Sequence, residues 1–132
     1  MVRWEEEMQS DTNNVEELEE ILKNLTANIP EILATAVVSV EGLPIASMMP
    51  QEVDDTRIAA MTAAMLSLGE RAALELNKGA LEQILIRGEN GYLMVMGAGP
   101  NAVLTVSATK DVKLGLIFLD CKRACEKISK IV

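Results

Sequence analysis

DDTRIAAMTAAMLSLGERAALELNK, residues 54–78, is the stretch whose reading decides the fold. Ile58, Met61, Met65, Leu68, Ala72 and Leu76 recur at three- and four-residue spacing, which gathers them on one side of a helix about seven turns long. The spacing predicts that this side faces the core. A second run of small or apolar residues, Ala59, Ala63, Leu66 and Ala73, occupies another sector, so the apolar arc is wider than a one-sided surface helix requires. Such a helix needs two partners. They are either two layers of one domain or one layer and another molecule, and a chain this short favours the intermolecular contact.

The 132 residues correspond to one domain, large enough to bury roughly two-thirds of its unfolded surface without metals or disulfides. Hydrophobic residues make up 49% of the chain but aromatics only 2%, so the core has to be built from Ala, Leu, Ile, Val and the eight Met. Twelve basic residues against twenty acidic ones leave a net charge of −8, which repels nucleic-acid backbones and anionic lipid head groups. The start, MVRWEEEM (1–8), is acidic where a secretion signal would be basic and then apolar. No apolar run approaches the ~18 residues of a membrane span, so a cytoplasmic protein without membrane insertion is expected. Cys121 and Cys125 are one helical turn apart, with no histidine in the chain; they read as small core residues rather than metal ligands.

Residues 1–13 match no periodic template and are expected to form a flexible acidic tail or short helical extension, with Trp4 a candidate for docking in a groove. Asn14 reads as the cap of a first helix, with Glu17 three residues on and Val15, Leu18, Leu22, Leu25 and Ile29 on one face until Pro30 stops it. Thr35–Met49 changes to a β pattern, with Glu41-Gly42 at the turn and Pro44 opening the second strand. Asp54 or Asp55 caps the long helix, and Lys78-Gly79 follow its end. Ala80–Arg87 and Tyr92–Gly97 read as strands joined at Asn90-Gly91, a type I′ turn signal. A fifth strand follows at Ala102–Thr109, and a helix capped by Asp111 carries Leu114, Ile117, Phe118, Cys121, Cys125, Ile128 and Val132 on one face. The order is α-ββ-α-βββ-α. An antiparallel five-stranded sheet with the terminal helices on one face and the central helix on the other buries each of these stripes, giving a three-layer α/β/α sandwich of the α+β class over residues 14–132.

The chain offers little for catalysis. Histidine, the commonest general base, is absent, and no serine sits in a nucleophile motif. GAGPN (97–101) lacks the Lys-Ser/Thr pair and the following helix of a phosphate loop, so a tight turn is the better reading. No cofactor or metal is implied. Arg57, Arg71 and Arg87 could each be offered as a finger for a GTPase partner, but single arginines read first as surface charges. Binding is left, and Ala60, Ala64, Ser67 and Arg71 align on the outer sector of the central helix, where small residues allow close approach and arginine supplies an anchor.

Four segments together resemble the Roadblock/dynein light chain family, in particular its prokaryotic MglB-like branch. They are VVSVEGLPIAS (37–47), LGERAALELNKG (68–79), LEQILIRGENGYLMVM (81–96) and DVKLGLIFLDCKRACEKI (111–128), in the family's order over Val15–Val132. Glu41 stands where the family often has Asp. The resemblance implies a profilin-like fold and a homodimer that extends the sheet edge to edge, with the two central helices side by side as a platform. In MglB-like members that platform engages a small Ras-like GTPase and stimulates hydrolysis, while eukaryotic relatives act as scaffolds. By resemblance, Ala59, Ala63, Leu66, Glu70 and Ala73 would face the sister helix, and Leu81, Gln83, Leu85 and Arg87 would lie on the strand that pairs with its sister. Ala60, Ala64, Ser67 and Arg71 would meet the GTPase.

The expectation is therefore a non-catalytic homodimeric regulator of a Ras-like GTPase; the alternative is a structural dimerisation or adaptor module without effect on hydrolysis. A small-ligand sensor would need an internal pocket with convergent polar groups, and the apolar strands argue against one. On this sector assignment Ala63→Glu would split the helix pair.

Overall fold

Five antiparallel strands form one sheet in the order β2-β1-β5-β4-β3. The strands are β1 (Ile32–Ser39), β2 (Pro44–Met48), β3 (Gln83–Gly88), β4 (Gly91–Gly97) and β5 (Ala102–Ala108). The helices are α1 (Arg3–Asn28), α2 (Asp55–Glu75) and α3 (Leu114–Ser129), so the order along the chain is the α-ββ-α-βββ-α expected. The computed structural model describes the backbone from Arg3 to Val132 and the side chains from Asn13 onward. The side chain of Trp4 lies outside the described residues.

Alternation along the strands divides the interior in two. Val37, Met94, Met96, Leu104 and Val106 point to one face, where Leu18, Leu22, Leu25 and Ile29 of α1 meet Ile117, Cys121, Cys125 and Ile128 of α3. Every one of these side chains is buried, as their helical spacing predicted. Ala36 and Val38 point the other way, towards α2. The terminal helices thus share one face and the central helix has the other.

Several boundaries differ from the sequence reading, each for a local reason. α1 starts at Arg3, so Asn14 lies inside it instead of capping it; RWEEEMQ contains good helix formers and no Gly or Pro to stop the helix extending upstream. β1 begins three residues earlier than expected, because a register shift between Ile32 and Ala34 breaks the alternation that would have revealed it. β3 begins at Gln83, after residues 80–82. The β3–β4 hairpin turns through Glu89 and Asn90, since Gly88 already pairs with Gly91, and Asn90 does not take the positive φ of a type I′ turn. Gly91 instead has φ +147, and a Cβ there would stand 2.2 Å from the Ala108 carbonyl oxygen. Glycine is required at that position. Asp111 does not cap α3: Val112 tucks into the core and donates its N–H to Thr109, so Lys113 becomes the cap residue.

Cys121 and Cys125 are free and buried. Burial, helped by the neighbouring Cys125 and Asp120, pushes the Cys121 thiol up to about 12. Burial and Glu126 push Cys125 up to about 12 as well. In the unfolded chain both thiols ionise near 9.0, so the folded state holds the extra protons above that pH and loses stability as the pH rises from 9 towards 12. Urea midpoints measured from pH 7 to 11 should decline above pH 9, and the Cys121→Ala/Cys125→Ala variant should decline less steeply.

Candidate interaction surface

α2 carries three different surfaces on one helix. It begins where the Asp54 carboxylate accepts hydrogen bonds from the N–H groups of Thr56 at 3.1 Å and Arg57 at 3.3 Å, with Asp55 adding negative charge to the first turn. It then lies on the sheet through small side chains. Ala59 is completely buried against Ala36 and Val38, and Thr62 is buried one turn later. At Gly69 a Cβ would stand 2.9 Å from Ile84 Cδ1 and 3.0 Å from Leu81 Cδ2, so the helix backbone rests almost directly on the approach to β3. Leu66 and Ala73 are half-buried along the same line.

This reverses the expected sectors. Met61, Leu68 and Leu76, read as core, are 52%, 67% and 69% exposed, and Ala72 is exposed with them. Ile58 and Met65 are half-buried at the margin. Short side chains let the helix axis approach the strands closely, whereas a row of Met and Leu would hold it away and leave voids beside it. Ala59 therefore belongs to the chain's own core and not to a helix pair. Ala63 is half-buried and borders the first hairpin, since a Cβ on Gly42 would come to 3.4 Å from its own Cβ. Glu70 is exposed, outside the sheet contact.

The displaced stripe of Met61, Leu68, Ala72 and Leu76 is an exposed apolar ridge with no partner among the described residues. β3 is an edge strand, next to β4, with Leu85 and Ile86 40% and 42% exposed and Gln83 and Arg87 exposed as well. Leu81 is half-buried at its start. The two edges of the sheet are unlike. β2 has five residues, opens with Pro44 and pairs with β1 through a register shift, all of which blunt an edge. β3 pairs residue for residue with β4, contains no proline, and presents the unused backbone groups of its other side. Ile86 lies inside the strand expected at Ala80–Arg87 and adds a further exposed apolar side chain to this edge.

On the outer side of α2, Ala60, Ala64, Ser67 and Arg71 are all exposed and line up as the spacing predicted. Arg71 Nε donates to Glu75 Oε1 at 3.0 Å, but both side chains are largely in solvent, at 76% and 65% exposure, so the pair contributes little and can re-partner. Among the described residues no group of His, Cys, Asp and Glu could hold a metal ion, and no helix is long and apolar enough to cross a membrane.

The comparison with known proteins agrees with this geometry. Residues 17–108 match the family model of the Roadblock/LC7 domain. The chain belongs to the Roadblock/LC7 family. It is 42% identical over 97 residues to the uncharacterized protein MJ1340 of Methanocaldococcus jannaschii, covering 74% of this chain and 84% of that protein. A second uncharacterized protein of the same organism, MJ0310, is 41% identical over the same length. Among solved structures, an MglB with tetrameric arrangement superposes with a TM-score of 0.82 at 21% identity, covering 89% of each chain. Myxococcus xanthus MglB gives 0.79 at 23% identity over 86% of each chain, and a Roadblock/LC7 domain from Streptomyces avermitilis gives 0.80 at 18% identity over 85% of this chain and 94% of that one. At these identities the likeness is one of Roadblock fold.

Ala59→Leu tests the sector assignment. Overfilling the space between this Roadblock domain's α2 and its sheet should cost roughly 1–3 kcal/mol of stability in urea titrations. Ala64→Leu, on the outer sector, should leave the midpoint unchanged.

Proposed function

We propose that this Roadblock protein is a homodimeric platform that binds and regulates a small Ras-like GTPase in the cytoplasm, stimulating GTP hydrolysis without being a catalyst of its own. The observation that carries this reading is the three-way division of α2, with one sector on the sheet, one apolar ridge without a partner, and one outer sector of small residues with an arginine. In this reading one further copy of the chain covers both the ridge and the bare edge of β3, strand to strand and helix to helix. That arrangement leaves Ala60, Ala64, Ser67 and Arg71 of both copies facing outward together. Small residues admit a flat partner surface, and Arg71, released from its solvent-exposed pairing with Glu75, can anchor a carboxylate or phosphate across it. The likeness to MglB structures supports the same reading. The dimer contact along α2 is thus proposed for Met61, Leu68, Ala72 and Leu76, and along the sheet edge for Leu81 and for Gln83, Leu85 and Arg87 of β3.

A dimer that merely tethers its partner is the second reading, and Arg71 separates the two. Leu68→Glu puts a charge in the middle of the ridge and should move the protein from dimer to monomer in light scattering; an unchanged dimer would exclude the ridge as the contact. Arg71→Ala should keep the dimer and the denaturation midpoint. In GTP turnover assays with the Ras-like GTPases of the same genome, the unmodified protein should accelerate hydrolysis by at least one of them, and Arg71→Ala should reduce that effect about tenfold or more, in line with loss of a charge-assisted contact. Co-elution with unaltered turnover would favour tethering, and neither binding nor acceleration with any candidate would remove the GTPase reading.

A further inference from the structure

The layer between α2 and the sheet is not uniformly filled. Under the first turn of α2 a cavity of about 230 Å³ opens between Met49, Ile58, Ala34 and Leu93, with Thr105 and Ser107 of β5 as the polar members of its lining. Met49, Ile58, Ala34, Leu93 and Ser107 are half-buried, whereas Thr105 is 2% exposed, so the cavity is a bowl with Thr105 at the bottom and the others around the rim. Val53 completes the wall. No charged side chain lines it.

Among the described residues three buried hydroxyls, those of Thr35, Thr62 and Thr105, have no hydrogen-bond partner, and that of Thr105 alone belongs to a residue lining this bowl. Helical threonines commonly bond back to the carbonyl four residues earlier, as Thr26 does to Leu22 at 2.9 Å, but Thr62 does not. A buried hydroxyl left unpaired is destabilising, and a valine would fill the same volume at Thr105 without that cost. Because Thr105 makes no bond in its present rotamer, turning its χ1 angle exchanges methyl for hydroxyl at the cavity floor with no hydrogen bond broken. Ser107, half-buried at the rim, supplies a second hydroxyl.

We infer that this bowl is a binding site for a small neutral ligand, a single ring bearing one hydroxyl or carbonyl oxygen. Size sets the ring: an apolar cavity of about 150 Å³ suffices for benzene, so 230 Å³ admits a ring with one substituent. Neutrality follows from the absence of a charged group in the lining, since an ion here would be desolvated without compensation. The thioether of Met49 on the wall suits an aromatic face or edge. The oxygen is matched by the Thr105 and Ser107 hydroxyls, each able to donate or accept.

Phenol and toluene are the probes, titrated into the 132-residue protein while the methyl resonances of Met49, Ile58, Leu93 and Thr105 are followed by NMR. Phenol should shift these methyls saturably and bind about tenfold more tightly than toluene, the difference expected for one buried hydrogen bond of ordinary strength. Thr105→Val combined with Ser107→Ala should erase that preference while toluene still binds, and Ala34→Leu should abolish binding of both probes. The Thr105 substitution removes a hydroxyl without a protein partner, and the double variant keeps the test independent of whether the filled-cavity variant folds. The proposal is overturned by shifts that do not saturate, by shifts centred elsewhere, by a phenol preference that survives the double variant, or by an ordered water that keeps both hydroxyls while phenol fails to bind.

Discussion

The closeness of α2 to the sheet is the constraint on which the rest depends. It is achieved by subtraction: Ala59 is fully buried, Thr62 nearly so, and Gly69 has no side chain where one would meet Ile84 and Leu81. A helix seated through its smallest residues must turn its larger ones elsewhere. Met61, Leu68 and Leu76 are consequently carried away from the sheet, where they form an exposed apolar ridge. The interior of the domain and its outward stickiness are thus two results of one choice of side-chain size.

Much of this was legible in the sequence, and the failures are physically informative. The terminal helices were read correctly on their buried faces because each has one apolar stripe and one polar face, so spacing alone leaves no ambiguity. α2 has two stripes, and spacing cannot rank them. Hydrophobicity assigned the bulky stripe to the core, whereas packing distance assigned the small one, because helix-on-sheet contact rewards close approach as well as apolar area. The start of β1 was hidden by the register shift at Ile32–Ala34, and the cap of α3 by Val112, which takes the chain into the core before the helix begins. The bowl at Thr105 was not foreseeable: a β-branched hydroxyl residue reads as ordinary strand, and only the surrounding layer reveals that its oxygen has no partner.

The division of labour between the two faces is also chemical. The face shared by α1 and α3 is filled by Leu, Ile, Met and two protonated thiols, with the one unpaired hydroxyl of Thr35 beneath them. The α2 face is thin, built on alanine and valine, and holds unpaired hydroxyls. One layer stores the stability of the fold, and the other is arranged for contact.

The unlike edges of the sheet carry a consequence for assembly. Growth by strand addition needs a receptive edge at each step, and this sheet has one, at β3, while Pro44 and the register shift blunt the other. When two receptive edges meet across a twofold axis, both are used up and only blunted edges face outward. Such a sheet closes at ten strands and cannot run on into a filament. Any assembly beyond the pair must be made by helices, and its geometry is then set by ridges and grooves rather than by backbone hydrogen bonds.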